Sequence, residues 1–262
     1  MNRCQKLTTT RPWKTAWITG ASSGIGRELA LQLARAGVIV AASARSADKL
    51  AELETEHSGI KSFPLDVTDA SAVARTVEAI TTQLGPIDLA VLNAAVWLPM
   101  GAKDFDAEAA IQTVNVNYNG VVLPLSVLMP EMMTRKSGHL AFVGSVAGFR
   151  GLPKSVTYAP TKAALINLSE SLKIDLEKHD VKISIINPGF VDTPMTHVNT
   201  FPMPFMVTAP DAASRMIAGL KAGRYEIGFP FPTFKMMKIL RKMPNQLFFL
   251  ITRFMQPLGS QD

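Results

Sequence analysis

A short apolar run, Thr15-Ala16-Trp17-Ile18-Thr19, stops at a glycine-rich turn, Gly20-Ala21-Ser22-Ser23-Gly24-Ile25-Gly26, and passes straight into a helical pattern that reaches Ala36. A strand without polar alternation is buried on both faces, and a sharp turn from such a strand into a helix is the start of a parallel sheet. The period keeps switching in the same way. Val38–Ala42, Leu89–Asn93, Leu140–Val143 and Ile183–Ile186 read as further buried strands. Ala47–His57, Ala70–Leu84, Ala107–Thr134 and Val156–His179 carry apolar residues at helical spacing. This alternation predicts an α/β fold, a doubly wound parallel sheet with helices on both faces. The 262 residues suffice for one core, and no repeat or linker divides them. We divide the chain into an N-terminal tail (1–13), a main α/β body (14–228) and a basic, Phe- and Met-rich C-terminal extension (229–262).

The turn after the first strand suits a phosphate. Gly20 lets the chain reverse, Gly24 removes a Cβ where a pyrophosphate approaches the backbone, and Gly26 lets the new helix pack closely while its N–H groups face the anion. Ser22, Ser23 and Ile25 complete this Rossmann-type loop, whose spacing is G-x-x-x-G-x-G rather than G-x-G-x-x-G. At the end of the second strand an NAD site places a carboxylate on the ribose 2′-hydroxyl. Here no acid lies between Ile39 and Ala47, and Arg45 occupies the turn. A guanidinium there suits a 2′-phosphate, so the cofactor expected is NADP(H).

Tyr158 and Lys162 are one helical turn apart, and Ser145 lies thirteen residues before the tyrosine, where a strand ends. Neither Tyr118 nor Tyr225 has a lysine four residues on. A free phenol titrates near 10. A neighbouring ammonium, together with the positive charge of an oxidised nicotinamide, is expected to lower that value and make Tyr158 an acid/base. Lys162 can also bind the nicotinamide ribose, and Ser145 can orient the substrate oxygen.

Taken together, these motifs resemble the short-chain dehydrogenase/reductase family from about Lys14 to about Gly228. The resemblance implies Ser145, Tyr158 and Lys162 as catalytic residues, with Asn117 as the fourth member of a proton relay through water. It implies adenine contacts at Asp66 and Val67, and an NADP preference from Ala44-Arg45-Ser46. Asn93 belongs to the cofactor contacts too, although Asn93-Ala94-Ala95 has alanine where the family has glycine. Pro188, Gly189 and Thr193 correspond to the turn that holds the nicotinamide carboxamide. Ser145 and Tyr158 are also the implied substrate contacts. The function expected is interconversion of a carbonyl and an alcohol. A non-enzymatic NADP(H)-binding interaction protein is the alternative.

On the substrate side, Pro194–Thr208 holds Met195, Phe201, Met203, Phe205 and Met206, which suits an adaptable apolar pocket for a lipid-, steroid- or fatty-acyl-like molecule. Two long helices with more than one apolar face predict a homodimer or homotetramer. Of the net charge of +6, a balance of +5 lies from Lys221 onward, where seven basic residues face Glu226 and Asp262. Eight of 13 Phe and eight of 13 Met lie at or beyond Met195. A basic amphipathic stretch over 229–255 suggests peripheral membrane contact, or packing on the body or on a second subunit. Nucleic acid is not expected, because the cations lie among large aliphatics. No metal site is expected from four scattered histidines, His57, His139, His179 and His197. One cysteine, Cys4, and the lack of a signal-like N-terminus point to a reduced, cytoplasmic setting.

Overall fold

β1 (Thr15–Thr19) is buried along its whole length, as its unbroken apolar run requires, and every later strand of the main sheet runs parallel to it. In this computed structural model, which describes residues 12–255, α1 (Gly24–Arg35), β2 (Ile39–Ser43), α2 (Ala47–Glu56), β3 (Ile60–Ser62), α3 (Ala70–Leu84) and β4 (Leu89–Leu92) form the first half. The second half contains α4 (Ala107–Val114), α5 (Gly120–Arg135), β5 (Gly138–Val143), α6 (Tyr158–Glu177) and β6 (Val181–Pro188). It ends with a short β7 (Val191–Asp192) paired to β8 (Val207–Thr208), then α7 (Ala209–Lys221), β9 (Glu226–Phe229), α8 (Phe231–Lys242) and α9 (Asn245–Met255).

The seven-stranded sheet has the order β3-β2-β1-β4-β5-β6-β9. The order reverses between β1 and β4, and ligands of open α/β sheets bind at the carboxyl ends of strands beside such a switch point. Gly20 leaves β1, Asn93 leaves β4, Ser145 follows β5 and Pro188 closes β6, so the topology delivers these residues to one edge. Helices α1 and α7 cover one face, with Leu29, Leu33, Met216 and Leu220 in its core; α3, α5 and α6 cover the other around Trp17, Phe142, Leu125 and Leu165.

The structure departs from the sequence reading in four places. The single helix expected over 107–134 is interrupted by a π-helical turn, Asn115–Asn119, whose extra residue turns Asn117 into the interior. β3, α7 and β9 have no counterpart in the sequence reading; β3 and β9 are only three and four residues long. Trp13 belongs to the core rather than to a tail, because its ring is buried against His139 at 6.0 Å. The boundary drawn at 228 falls inside β9, and α8 packs Met237 into the core. Residues 1–11 of the tail, including Cys4, and residues 256–262 lie outside the described residues. Among the described residues, no helix is long and apolar enough to cross a membrane.

One core group gives the fold a pH dependence. His139 on β5 is buried, with Nε2 at 2.8 Å from Ser184 Oγ, and the Ser184 hydroxyl donates to the Arg224 carbonyl at 2.6 Å. The serine hydrogen is thereby committed, so the hydrogen-bond network assigns the imidazole hydrogen to Nε2. Burial, with help from Lys182, pulls the His139 pKa from 6.5 down to about 4. Between those values the unfolded chain binds more protons, so stability is lost as the pH falls. The loss attributable to His139 reaches about 2 kcal/mol by about pH 5. Urea denaturation at neutral and mildly acid pH should show this loss, and His139→Gln should remove that part of it.

Candidate active site

The glycine turn is held open by its neighbours. Gly20 has φ +69°, and a Cβ there would come within 2.8 Å of Ala94 Cα. A Cβ on Gly26 would strike the Gly20 carbonyl and approach the Asn93 amide at 2.7 Å. Asn93 fixes the turn directly: its Nδ2 donates to the carbonyls of Thr19 (3.0 Å) and Gly20 (3.2 Å). Thr19 Oγ1 accepts from the backbone N–H groups of Asn93 (2.9 Å) and Ala94 (3.1 Å), tying β1 to β4. Ala95, where the family has glycine, is not among the positive-φ residues, so its backbone accommodates alanine.

The donor set above this turn fits a phosphate. Ser23 is the N-cap of α1 but makes no side-chain cap hydrogen bond, whereas Asp69, Asp106 and Thr208 cap α3, α4 and α7. The first-turn N–H groups of α1 are thus left for an anion, with Gly24 opening the helix against Thr193. The cleft over this turn is lined by Gly20, Ser22, Ser23, Gly24 and Ile25 at one wall, with Arg45, Asp66 and Val67 at one end. Towards β5 and β6 lie Ser145 and Pro188, and Tyr158, Lys162, Gly189, Thr193 and Asn93 also line the cleft. Asp66 accepts from the Thr68 N–H and hydroxyl. Burial pushes the Asp66 pKa up, but the Thr68 hydrogen bonds, with a smaller help from Arg45, hold it below its ordinary value; among the described residues, Arg45 has no carboxylate within ion-pair distance.

Ser145, Tyr158 and Lys162 meet at the inner end. Lys162 is buried and its Nζ donates to the Val143 carbonyl at 2.8 Å, standing 5.5 Å from the centre of the Tyr158 ring. Ser145 Oγ accepts from the Ala147 N–H at 3.1 Å and donates to the Pro188 carbonyl at 3.4 Å. The sequence reading has Lys162, together with an oxidised nicotinamide, lowering the tyrosine pKa; the protein's own burial works in the other direction. Burial pushes the Tyr158 phenol up to about 12, with the neighbouring Ser145 hydroxyl offsetting only part of the rise. The same burial pulls Lys162 down to about 7, so its ammonium is only partly populated at neutral pH.

Asn117 is brought beside this group, but its side chain is already engaged. Its Oδ1 accepts from the Val96 N–H (2.7 Å), and its Nδ2 donates to the Val96 carbonyl (3.0 Å) and to Thr161 Oγ1 (3.3 Å). The amide therefore clamps the segment after β4. The next residue, Trp97, meets the Tyr158 ring edge-on at 5.0 Å, and its Nε1 donates to Asn199 Oδ1 at 2.9 Å. Asn199 escaped the sequence reading, since nothing local marks a residue whose partner is 102 positions away. Thr19 left a fainter signal as a hydroxyl ending an otherwise apolar strand.

Residues 14–201 match the short chain dehydrogenase family. The chain belongs to that family. An oxidoreductase of Myxococcus xanthus is 40% identical over 240 residues, covering 90% of this chain and 95% of its own. One from Staphylococcus saprophyticus is 34% identical over 188 residues, covering 70% and 80%. Among solved structures, an alcohol dehydrogenase from Thermococcus sibiricus, complexed with 5-hydroxy-NADP, is 26% identical with a TM-score of 0.74, covering 83% of this chain and 96% of its own. A short-chain dehydrogenase from Streptomyces avermitilis shares the fold, with a TM-score of 0.77 at 21% identity over 93% of this chain and 96% of its own. This short-chain dehydrogenase is thus an oxidoreductase with a single Rossmann-like domain, and its family uses nicotinamide cofactors.

Proposed function

We propose that this short-chain dehydrogenase is an NADP(H)-dependent oxidoreductase that interconverts a carbonyl and a primary or secondary alcohol, with Tyr158 as the acid/base. The observation that carries the reading is that half-buried Tyr158 and buried Lys162 line the same cleft as the uncapped N-terminus of α1. A bound nicotinamide dinucleotide supplies or accepts the hydride and, when oxidised, adds the positive charge that favours a phenolate. Gly20, Ser22, Ser23, Gly24, Ile25 and Gly26 would hold its pyrophosphate, Asp66, Val67 and Asn93 its adenosine side, and Pro188, Gly189 and Thr193 its carboxamide. Arg45 would take a 2′-phosphate, which the NADP-related ligand of the Thermococcus sibiricus dehydrogenase makes a reasonable partner for this family.

Tyr158, held protonated by burial, donates its proton to the carbonyl oxygen during reduction and takes it back during oxidation. Ser145 donates a hydrogen bond to the same oxygen, and Lys162 holds the ribose and refills the phenol. Asn117 serves this chemistry as a positioning residue, because its hold on Val96 sets Trp97 against the tyrosine. An apolar substrate is supported by Met195, which lines the cleft, and by Trp97, whose ring meets that of Tyr158 at 5.0 Å. NADPH oxidation in the presence of apolar ketones and aldehydes tests the whole reading; a binder without turnover across such a panel would overturn it.

A homodimer or homotetramer completes the proposal. Ile111, Val114 and Ile174 are exposed on α4 and α6, while Leu123, Val127, Met129 and Met133 on α5 are only partly covered. Apolar helix faces of this kind are buried by a symmetric partner. Sedimentation at micromolar concentration should give a species of at least twice 28.4 kDa, and a clean monomer would refute the assignment.

A further inference from the structure

The last two helices carry an exposed surface that the chemistry above does not use. α8 buries Thr233 and Met237 but leaves Phe231, Met236 and Ile239 outside; α9 buries Phe248 and leaves Leu247, Phe249 and Leu250 outside. These six side chains are 44–67% exposed. Met236 with Ile239, and Leu247 with Leu250, each lie one turn apart and so share a helix face. Large contiguous exposed apolar surface on a folded domain marks an interaction site.

The charge around these residues has one sign. From Ile227 to Gln261 the chain contains no Asp or Glu, but it contains Lys235, Lys238, Arg241, Lys242 and Arg253. Two of these are engaged with the body: Lys238 pairs with Glu226 at 2.5 Å and Arg241 with Glu170 at 3.8 Å. Among the described residues, Lys235, Lys242 and Arg253 have no carboxylate within ion-pair distance.

We propose that the outer face of α8 and α9 docks this protein on an anionic lipid bilayer, with the apolar side chains at the headgroup boundary and Lys235, Lys242 and Arg253 on the lipid phosphates. Helices of 12 and 11 residues are far too short to span a bilayer, so they lie in the plane of the interface. A second copy is the poorer occupant, because a two-fold contact would set these cations against their own images. An acidic protein would satisfy the charge but not the row of large aliphatic and aromatic side chains.

The surface is fixed to the catalytic body rather than hung on a linker. Arg150 lies between Ser145 and Tyr158 in the chain, and its Nη2 donates to Asn245 Oδ1 at 2.7 Å and to the Met243 carbonyl at 3.3 Å. Its guanidinium also stacks over Phe248 at 4.3 Å. At the other end, the Thr233 methyl lies against Gly189, where an added Cβ would meet it at 3.1 Å. Docking through α8 and α9 therefore sets the orientation of the cleft relative to the lipid. The surface itself stands independently of the proposed chemistry and has its own readout.

The test is co-sedimentation of the full chain with vesicles of phosphatidylcholine alone, or of phosphatidylcholine mixed with phosphatidylglycerol, at low and high salt. Pelleting with the anionic vesicles at low salt, reversed by salt, is the expected result. A basic side chain near such a surface contributes about fivefold in partitioning, so Lys235→Glu with Lys242→Glu should weaken binding by at least about 25-fold. Ile239→Asp with Leu250→Asp should also release the protein, with its thermal midpoint and NADPH binding retained. Full-length protein left in the supernatant with anionic vesicles at low salt overturns the proposal, whatever the variants do. So do equal binding to neutral vesicles, or a vesicle-free oligomer that the Ile239→Asp and Leu250→Asp pair dissociates.

Discussion

Tyr158→Phe should lower turnover by at least about 100-fold while leaving NADPH affinity almost unchanged, the scale expected when a general acid is removed. The substitution deletes one oxygen from a ring that stays packed against Trp97 at 5.0 Å, so the wall of the cleft survives. The lost oxygen is the one burial keeps protonated, with a pKa pushed up to about 12. A carbonyl accepting hydride needs a proton, and among the groups lining the inner cleft the alternatives are weaker. Ser145 has an ordinary hydroxyl already shared with the Ala147 N–H and the Pro188 carbonyl. Lys162 is turned to the Val143 carbonyl. Single-turnover absorbance of NADPH together with fluorescence titration of the dinucleotide separates chemistry from binding. A Phe variant that turns over at nearly the unmodified rate would remove Tyr158 from the mechanism.

The values of Tyr158 and Lys162 explain why their pairing is only half legible in a sequence. Spacing places a lysine one turn from a phenol, and the structure keeps both on one helix, α6. What spacing does not carry is the depth of burial, which here drives both groups toward their neutral forms. Burial is a property of the assembled sheet and helices. The charge balance of the site therefore depends on what shares the cleft, and that lies outside any local pattern.

The same division runs through the fold. β1 and its glycine turn were readable because a buried parallel strand and a tight turn each leave a local mark. β3 and β9 left little, being three and four residues long, with Gly228 inside the latter. The π-helical turn within 115–119 was hidden because the apolar period passes almost unbroken across it. It exists to bury an asparagine that answers Val96, 21 residues earlier in the chain. Trp97 and Asn199 are joined only by the folded chain. The C-terminal helices show both sides: their basic and apolar composition was plain, whereas the packing of Met237 and Phe248 needed the structure.

Cofactor choice gives the second large effect. Arg45 lies in the turn after β2, at the end of the cleft occupied by Asp66 and Val67, with no carboxylate paired to it among the described residues. A guanidinium free of such a partner is available to a 2′-phosphate, and a charge-assisted hydrogen bond contributes about 1.5–3 kcal/mol. The unmodified protein should accordingly prefer NADPH over NADH by about tenfold or more in kcat/KM. Arg45→Asp replaces attraction by repulsion for the phosphate and offers a ribose 2′-hydroxyl an acceptor. The ratio of the two efficiencies should then swing by at least about 100-fold. The body around α1 and the catalytic group is untouched by this change, so the rate at saturating NADH should stay close to that of the unmodified protein. High salt should narrow the preference, since the exposed charge is screened over about 10 Å at about 0.1 M ionic strength. Equal efficiency with both cofactors in the unmodified protein would show that Arg45 is a solvated surface residue, and the preference would then have to be sought elsewhere in the cleft.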